Sequence, residues 1–67
     1  MINNFSSLTK REIEIMHLLL KGRLNKEIAD SYQISIDTVK KHIKNSYKKM
    51  GVRNRAEAVS YLNKMTI

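Results

Sequence analysis

The residues with the plainest chemistry lie between Ser35 and Gly51, in SIDTVKKHIKNSYKKMG. Lys41, Lys44, Asn45 and Lys48 recur at helical spacing on one side of this stretch, with Lys40 and His42 on its two flanks. Ammonium groups in a row attract a polyanion. Lysine can also donate to guanine O6 and N7 in the major groove of DNA. The opposite side carries Ile36, Val39, Ile43, Tyr47 and Met50, an apolar stripe suited to docking on a core. A helix docked by one face and cationic on the other can lie in a nucleic-acid groove. Catalytic chemistry is not expected. There is no glycine-rich phosphate loop, no pair of carboxylates placed for a cleft and no nucleophile–base–acid set. His17 and His42 fall on different predicted helices and cysteine is absent, so no catalytic residue, metal ligand or cofactor is assigned.

The charge is unevenly spread. Residues 1–39 carry five bases (Lys10, Arg11, Lys21, Arg23, Lys26) and five acids (Glu12, Glu14, Glu27, Asp30, Asp37). Residues 40–67 carry eight bases (Lys40, Lys41, Lys44, Lys48, Lys49, Arg53, Arg55, Lys64) against Glu57 alone, so this segment holds the whole net charge of +7. Such asymmetry points to a polyanionic partner. Its plainer alternative is a solvated lysine face kept for solubility.

The elements that must position these residues are short helices. Sixty-seven residues make one small domain, too small for a large enclosed site. Proline is absent and glycine occurs only at 22 and 51, which favours helices joined by short turns. No apolar run approaches the roughly 20 residues that span a membrane, and no signal peptide is evident, so the expected location is cytoplasmic. Residues 1–7 read as a flexible lead-in, and residues 8–67 as the domain. Thr9 and Glu12 form a capping box, with Leu8 and Ile13 at staple positions. A first helix then runs to about Lys21, with Ile15, Met16 and Leu19 inward, and Gly22 ends it. His17 falls on its outer edge. Asn25 is expected to cap a second helix, Lys26 to Tyr32, with Ile28, Ala29 and Tyr32 on its packing side. Asn25 and the first amides of that helix could also hold a phosphate oxygen. Gln33-Ile34-Ser35 turns into helix three, which Ser35 caps and Gly51 closes, with Ile34 and Val39 as its staple. Asn54 and Glu57 make a second capping box, opening helix four to about Met65, with Ala58, Val59 and Leu62 as its apolar face. Tyr61 and Met65 lie to one side. Helix four could complete the core or offer a shallow apolar strip to a second copy. A short helix, a tight turn and a longer basic helix are the pieces of a helix-turn-helix.

These residues resemble a known family. Leu8-Thr9, Arg11-Glu12, Glu14-Ile15, Gly22, NKEIA at 25–29, Ile34-Ser35, Thr38-Val39-Lys40, His42, Asn45, Lys49, Gly51-Val52, Arg55 and Ala58 resemble the LuxR-type (GerE/FixJ/NarL-like) helix-turn-helix. The likeness runs from Leu8 nearly to the C-terminus. Tyr32 departs from the family's usual leucine, implying a different packing of the turn. Ser46 departs from its usual aliphatic, implying a weaker edge to the core beneath helix three.

The resemblance implies an all-α, four-helix domain with helix three as recognition helix. It implies a sequence-specific regulator of transcription that binds double-stranded DNA as a homodimer through helix four. Lys40, Lys41 and Lys44 are then the base-facing positions. Asn25, Lys26, Thr38, His42, Asn45 and Lys48 lie nearer the backbone. Ala58, Val59, Tyr61 and Leu62 form the dimer surface. RNA polymerase is a further candidate partner, and a sigma-factor-like promoter reader would share the motif. Physics supports the base and backbone division in part, because lysine is a flexible point charge that also suits phosphate. Thr38 can bond back to the cap or forward to a phosphate, and His42 can be half-buried or a phosphate donor. Without arginine or glutamine on the outer face of helix three, specificity per monomer is modest. Two half-sites about 34 Å apart would raise it. Six neutralised phosphates per monomer would give a log–log salt slope of roughly −5. The rival classes are a protein-interaction module that sequesters another regulator without touching DNA, and a basic amphipathic helix on an anionic membrane. The second conflicts with the need for helix three's apolar face in the core.

Overall fold

The computed structural model describes residues 7–65, the Met65 side chain excepted. Four helices follow in order: α1 (Lys10–Leu20), α2 (Asn25–Tyr32), α3 (Ile36–Met50) and α4 (Arg55–Met65). No strand occurs among the described residues. The expected lead-in lies outside them, Ser7 excepted.

None of these helices is long enough to persist alone in water, so caps and packing must hold them. Thr9 Oγ1 accepts from the Glu12 amide at 3.1 Å, and Glu12 Oε1 accepts from the Thr9 amide at 2.8 Å. That is the expected capping box. Ser35 Oγ accepts from the Thr38 amide at 3.0 Å and starts α3 as expected.

Two caps differ from the sequence reading. Asn25 is the first residue of α2 and not its cap; Leu24 stands at the cap with no side-chain oxygen to offer. Glu27 alone serves this end, accepting from the Leu24 amide at 2.7 Å. At α4, Asn54 Oδ1 accepts from the Glu57 amide at 2.9 Å, but Glu57 reaches back one residue further than a capping box requires, to the Arg53 amide at 2.8 Å.

The first three helices end alike. An amide bonds to the carbonyl five residues back: Arg23 to Leu18 at 3.1 Å, Ile34 to Ala29 at 3.0 Å, Val52 to Tyr47 at 3.0 Å. This closure needs a left-handed residue. Gly22 and Gly51 supply two, at φ 85° and 75°. The third is Gln33, at φ 55°, where a side chain makes the left-handed conformation costly. It sits in the turn between α2 and α3, whose geometry the motif depends on.

The core is built from Leu8, Ile15, Met16 and Leu19 of the N-terminal part, Ile28 and Ala29 of α2, Val39, Ile43 and Met50 of α3, and Ala58 and Leu62 of α4. Full burial of side chains such as Ile15 and Val39 stabilises the fold by about 1.5–3 kcal/mol each. α3 packs most extensively, against both α1 and α2. Its inner stripe differs from the expected one at both edges. Ile36, the first residue of α3, is 40% exposed. Ser46 is fully buried in its stead. Its hydroxyl donates to the His42 carbonyl at 2.8 Å, so the polar group is satisfied within its own helix and the edge is closed. Of the first staple, Leu8 is buried but Ile13 stays exposed.

Candidate nucleic-acid interface

With Val39, Ile43, Ser46 and Met50 held inward, the helical period decides what α3 shows to solvent. Lys40, Lys41, Lys44, Asn45 and Lys48 are all exposed. None of these lysines forms an ion pair among the described residues. Their positive charge is therefore left to an outside partner. Asp37 is the one acid on α3 itself, in its first turn.

On one flank α3 borders an open recess of about 300 Å³. Its α3 wall is Lys40, Lys44 and Lys48, over a floor of Ile43 and Tyr47. Asn25 closes it from the start of α2, and Val52 and Arg53 from the turn after α3. Burial pushes the Tyr47 hydroxyl above the usual phenol range, against the smaller lowering effect of Arg55, so it remains a protonated donor at neutral pH. The structure thus brings Asn25, Lys40, Lys44 and Lys48 together. Arg53 joins them unannounced by the sequence, because it lies in a turn whose direction no periodicity gives.

The other expected residues sit as follows. Lys26 is exposed in the first turn of α2. Thr38 turns back to the cap, its Oγ1 2.8 Å from Ser35 Oγ, yet remains exposed. His42 is half-buried on the flank of α3 away from the recess. The Asn25 carboxamide does not cap α2, and its Oδ1 is buried without a partner.

Not every cation of the basic segment belongs to this face. Lys49 Nζ lies 2.8 Å from Glu12 Oε1, on the flank of α3 that meets the start of α1. Burial raises the Glu12 carboxyl, but the bonds from Lys49 and Thr9 and the Lys49 charge outweigh it and leave it below its ordinary value. The Arg55 guanidinium donates to the Arg23 and Leu19 carbonyls and ties α4 to the end of α1. Arg11 lies over the Tyr32 ring, 4.2 Å from its centre, which explains how an aromatic is accommodated at the end of α2. None of these cross-chain ties has a local signature in sequence.

Of the four residues expected at a dimer surface, Ala58 and Leu62 are buried in the monomer's own core. A second copy could not reach them without opening the fold. Val59 and Tyr61 are half-buried and keep some exposed surface. Among the described residues no group of three or more His, Cys, Asp or Glu could hold a metal ion, and no helix is long and apolar enough to cross a membrane.

A short helix, a tight left-handed turn and a longer helix docked by its apolar stripe, with unpaired cations outward, define a helix-turn-helix domain. The luxR family of bacterial regulatory proteins (GerE) matches residues 6–62, and the chain belongs to that family. It is similar to the transcriptional regulatory protein LiaR of Bacillus subtilis, 47% identical over 58 residues, covering 87% of this chain and 28% of LiaR. It is likewise similar to the response regulator protein VraR of Staphylococcus aureus, 46% identical over 57 residues, covering 85% of this chain and 27% of VraR. Among solved structures, the response regulator StyR superposes with a TM-score of 0.86 at 41% identity, over 91% of this chain and 31% of StyR. The chain thus spans about a quarter to a third of the length of these relatives.

Proposed function

We propose that this domain binds double-stranded DNA as a homodimer in a cytoplasmic regulator of transcription, with α3 in the major groove. Lys40, Lys41 and Lys44 face bases, and Asn25, Lys26, Thr38, His42, Asn45 and Lys48 face the sugar–phosphate backbone. The observation that carries the reading is the split of α3: its inner face is committed to the core, and its outer lysines are exposed and unpaired. Unpaired ammonium groups have no internal ion pair to give up, and on contact with phosphates they release condensed counterions from DNA. The luxR membership and the likeness to response regulators support the same reading. The dimer contact is assigned to the exposed parts of Val59 and Tyr61 on α4, because Ala58 and Leu62 are used within the monomer.

The test is selection of bound sites from a random duplex pool at fixed salt. A recovered site with two half-sites about one helical turn (~34 Å) apart is the expected outcome. Absence of binding to any duplex at low salt, with a protein partner retained, would overturn the reading in favour of a module that sequesters another regulator.

A further inference from the structure

Arg53 is the one arginine that borders the recess. Its side chain is 89% exposed, and its one ion pair, to Glu57 Oε2 at 3.8 Å, is too long and too wet to hold it. Lys48 on α3 and Asn25 on α2 line the same recess, over the floor of Ile43 and Tyr47. The Asn25 side chain does not cap α2, and its carboxamide NH2 is the group that can donate to a phosphate oxygen. Cations around an apolar floor match one stretch of DNA backbone, in which a deoxyribose with a C–H face is flanked by two phosphate anions. The recess is shallow and open to solvent. It lies on the same flank as Lys40 and Lys44, so a strand held there borders the groove that α3 would enter.

We propose that this recess seats one sugar–phosphate unit of the DNA, and that Arg53 is a further backbone contact alongside Lys48. The inference rests on the DNA-binding reading above and deepens it. Arginine suits the role because its planar fork can donate two parallel bonds to one phosphate, which lysine cannot. Since a phosphate carries no base identity, Arg53 fixes position and affinity, not sequence.

The experiment is a salt titration of duplex binding, on a selected site and on an unrelated duplex, with folding checked by circular dichroism. Arg53→Ala is expected to weaken both duplexes alike and to make the log–log salt slope shallower by about 0.9, the release expected for one phosphate. Lys48→Ala should do the same. Lys10→Ala removes the same charge from the exposed start of α1 and should leave the slope as it was. Arg53→Lys should keep the slope and recover part of the affinity. If Arg53→Ala behaves like Lys10→Ala while Lys48→Ala shortens the slope, the recess proposal fails and the DNA-binding reading stands. If the unaltered protein shows no salt-dependent duplex binding, both fail.

Discussion

Replacing Glu12 with glutamine isolates the one ion pair among the described residues that has a buried partner. Glu12 Oε1 accepts two bonds, from the Thr9 amide and from Lys49 Nζ, each at 2.8 Å. Glutamine keeps a neutral oxygen of nearly the same shape, so the core is not emptied. What is lost is charge. Hydrogen bonds to a charged group contribute about 1.5–3 kcal/mol and neutral ones about 0.5–1.5 kcal/mol, so the expected loss is about 1 kcal/mol. It lies at the low end because the Lys49 side chain is 34% exposed and water takes up part of its charge, although Glu12 is only 4% exposed. In a domain of this size about 1 kcal/mol moves Tm by roughly 4–8 °C.

The pH dependence gives a sharper signature. Burial raises the Glu12 carboxyl, but the bonds from Lys49 and Thr9 outweigh it, so the folded value lies below the ordinary 4.5. As pH falls, the unfolded chain takes up this proton first. The stabilisation is therefore complete above about pH 4.5 and is lost as pH drops through the folded value. Urea melts near neutrality and again near about pH 3 should show the gap between the two proteins closing on the acid side. Urea is the right denaturant because it does not screen the pair. A Glu12→Gln protein as stable as the original near neutrality, with the same acid limb, would refute the assignment. Lys49→Met should be destabilising as well, yet leave DNA affinity unchanged in the folded protein, because the charge of this cation is already taken up by Glu12.

Other consequences concern the helix faces. Lys41→Ala and Lys44→Ala should weaken a selected site by more than an unrelated duplex, whereas Lys48→Ala should weaken both equally; equal effects of all three on every duplex, in parallel anisotropy titrations, would remove the base-reading assignment. Val59→Asn should weaken self-association in sedimentation with the fold intact, and an unchanged profile would count against α4 as the interface. A polar residue at Leu62 should instead unfold the monomer, since Leu62 is buried in its core. Gln33→Gly should raise stability by about 0.5–1 kcal/mol in a urea melt, because it relieves a left-handed side chain at φ 55° in an exposed turn, partly offset by the greater freedom of glycine unfolded.

The sequence carried most of the architecture because its signals are local. Thr9 with Glu12, Ser35, Gly22 and Gly51 each act within one turn of chain, and the helix bounds they imply agree with the structure to within a residue or so. The mistaken details are those where two local devices compete. Asn25 is a good cap by type, but Glu27 reaching back to Leu24 sets the start of α2 one residue earlier. Ile36 belongs to the stripe by period, but it is the first residue of α3 and stays exposed. Ser46 looked like a weakness by type, yet a hydroxyl bonded to the carbonyl four residues back can be buried. The site was legible in the same measure. The exposed lysines of α3 follow from period alone. The removal of Lys49 to Glu12, of Arg55 to the end of α1, and the arrival of Arg53 at the recess that Asn25 also lines depend on how helices far apart in sequence cross. The same reason separates Val59 from Ala58 and Leu62: all three are apolar at helical spacing, and only the packing of α4 says which of them the core has taken.

The central claim is that the outer face of α3 enters the major groove and touches bases there. Methylation of guanine N7 places a group in the major groove alone, and so tests this directly on a selected site. Methylating the guanines of each half-site before adding protein is expected to abolish binding, and bound protein to shield the same guanines from methylation. Binding that is indifferent to N7 methylation throughout the site, at salt where the unmodified duplex is bound specifically, would contradict it.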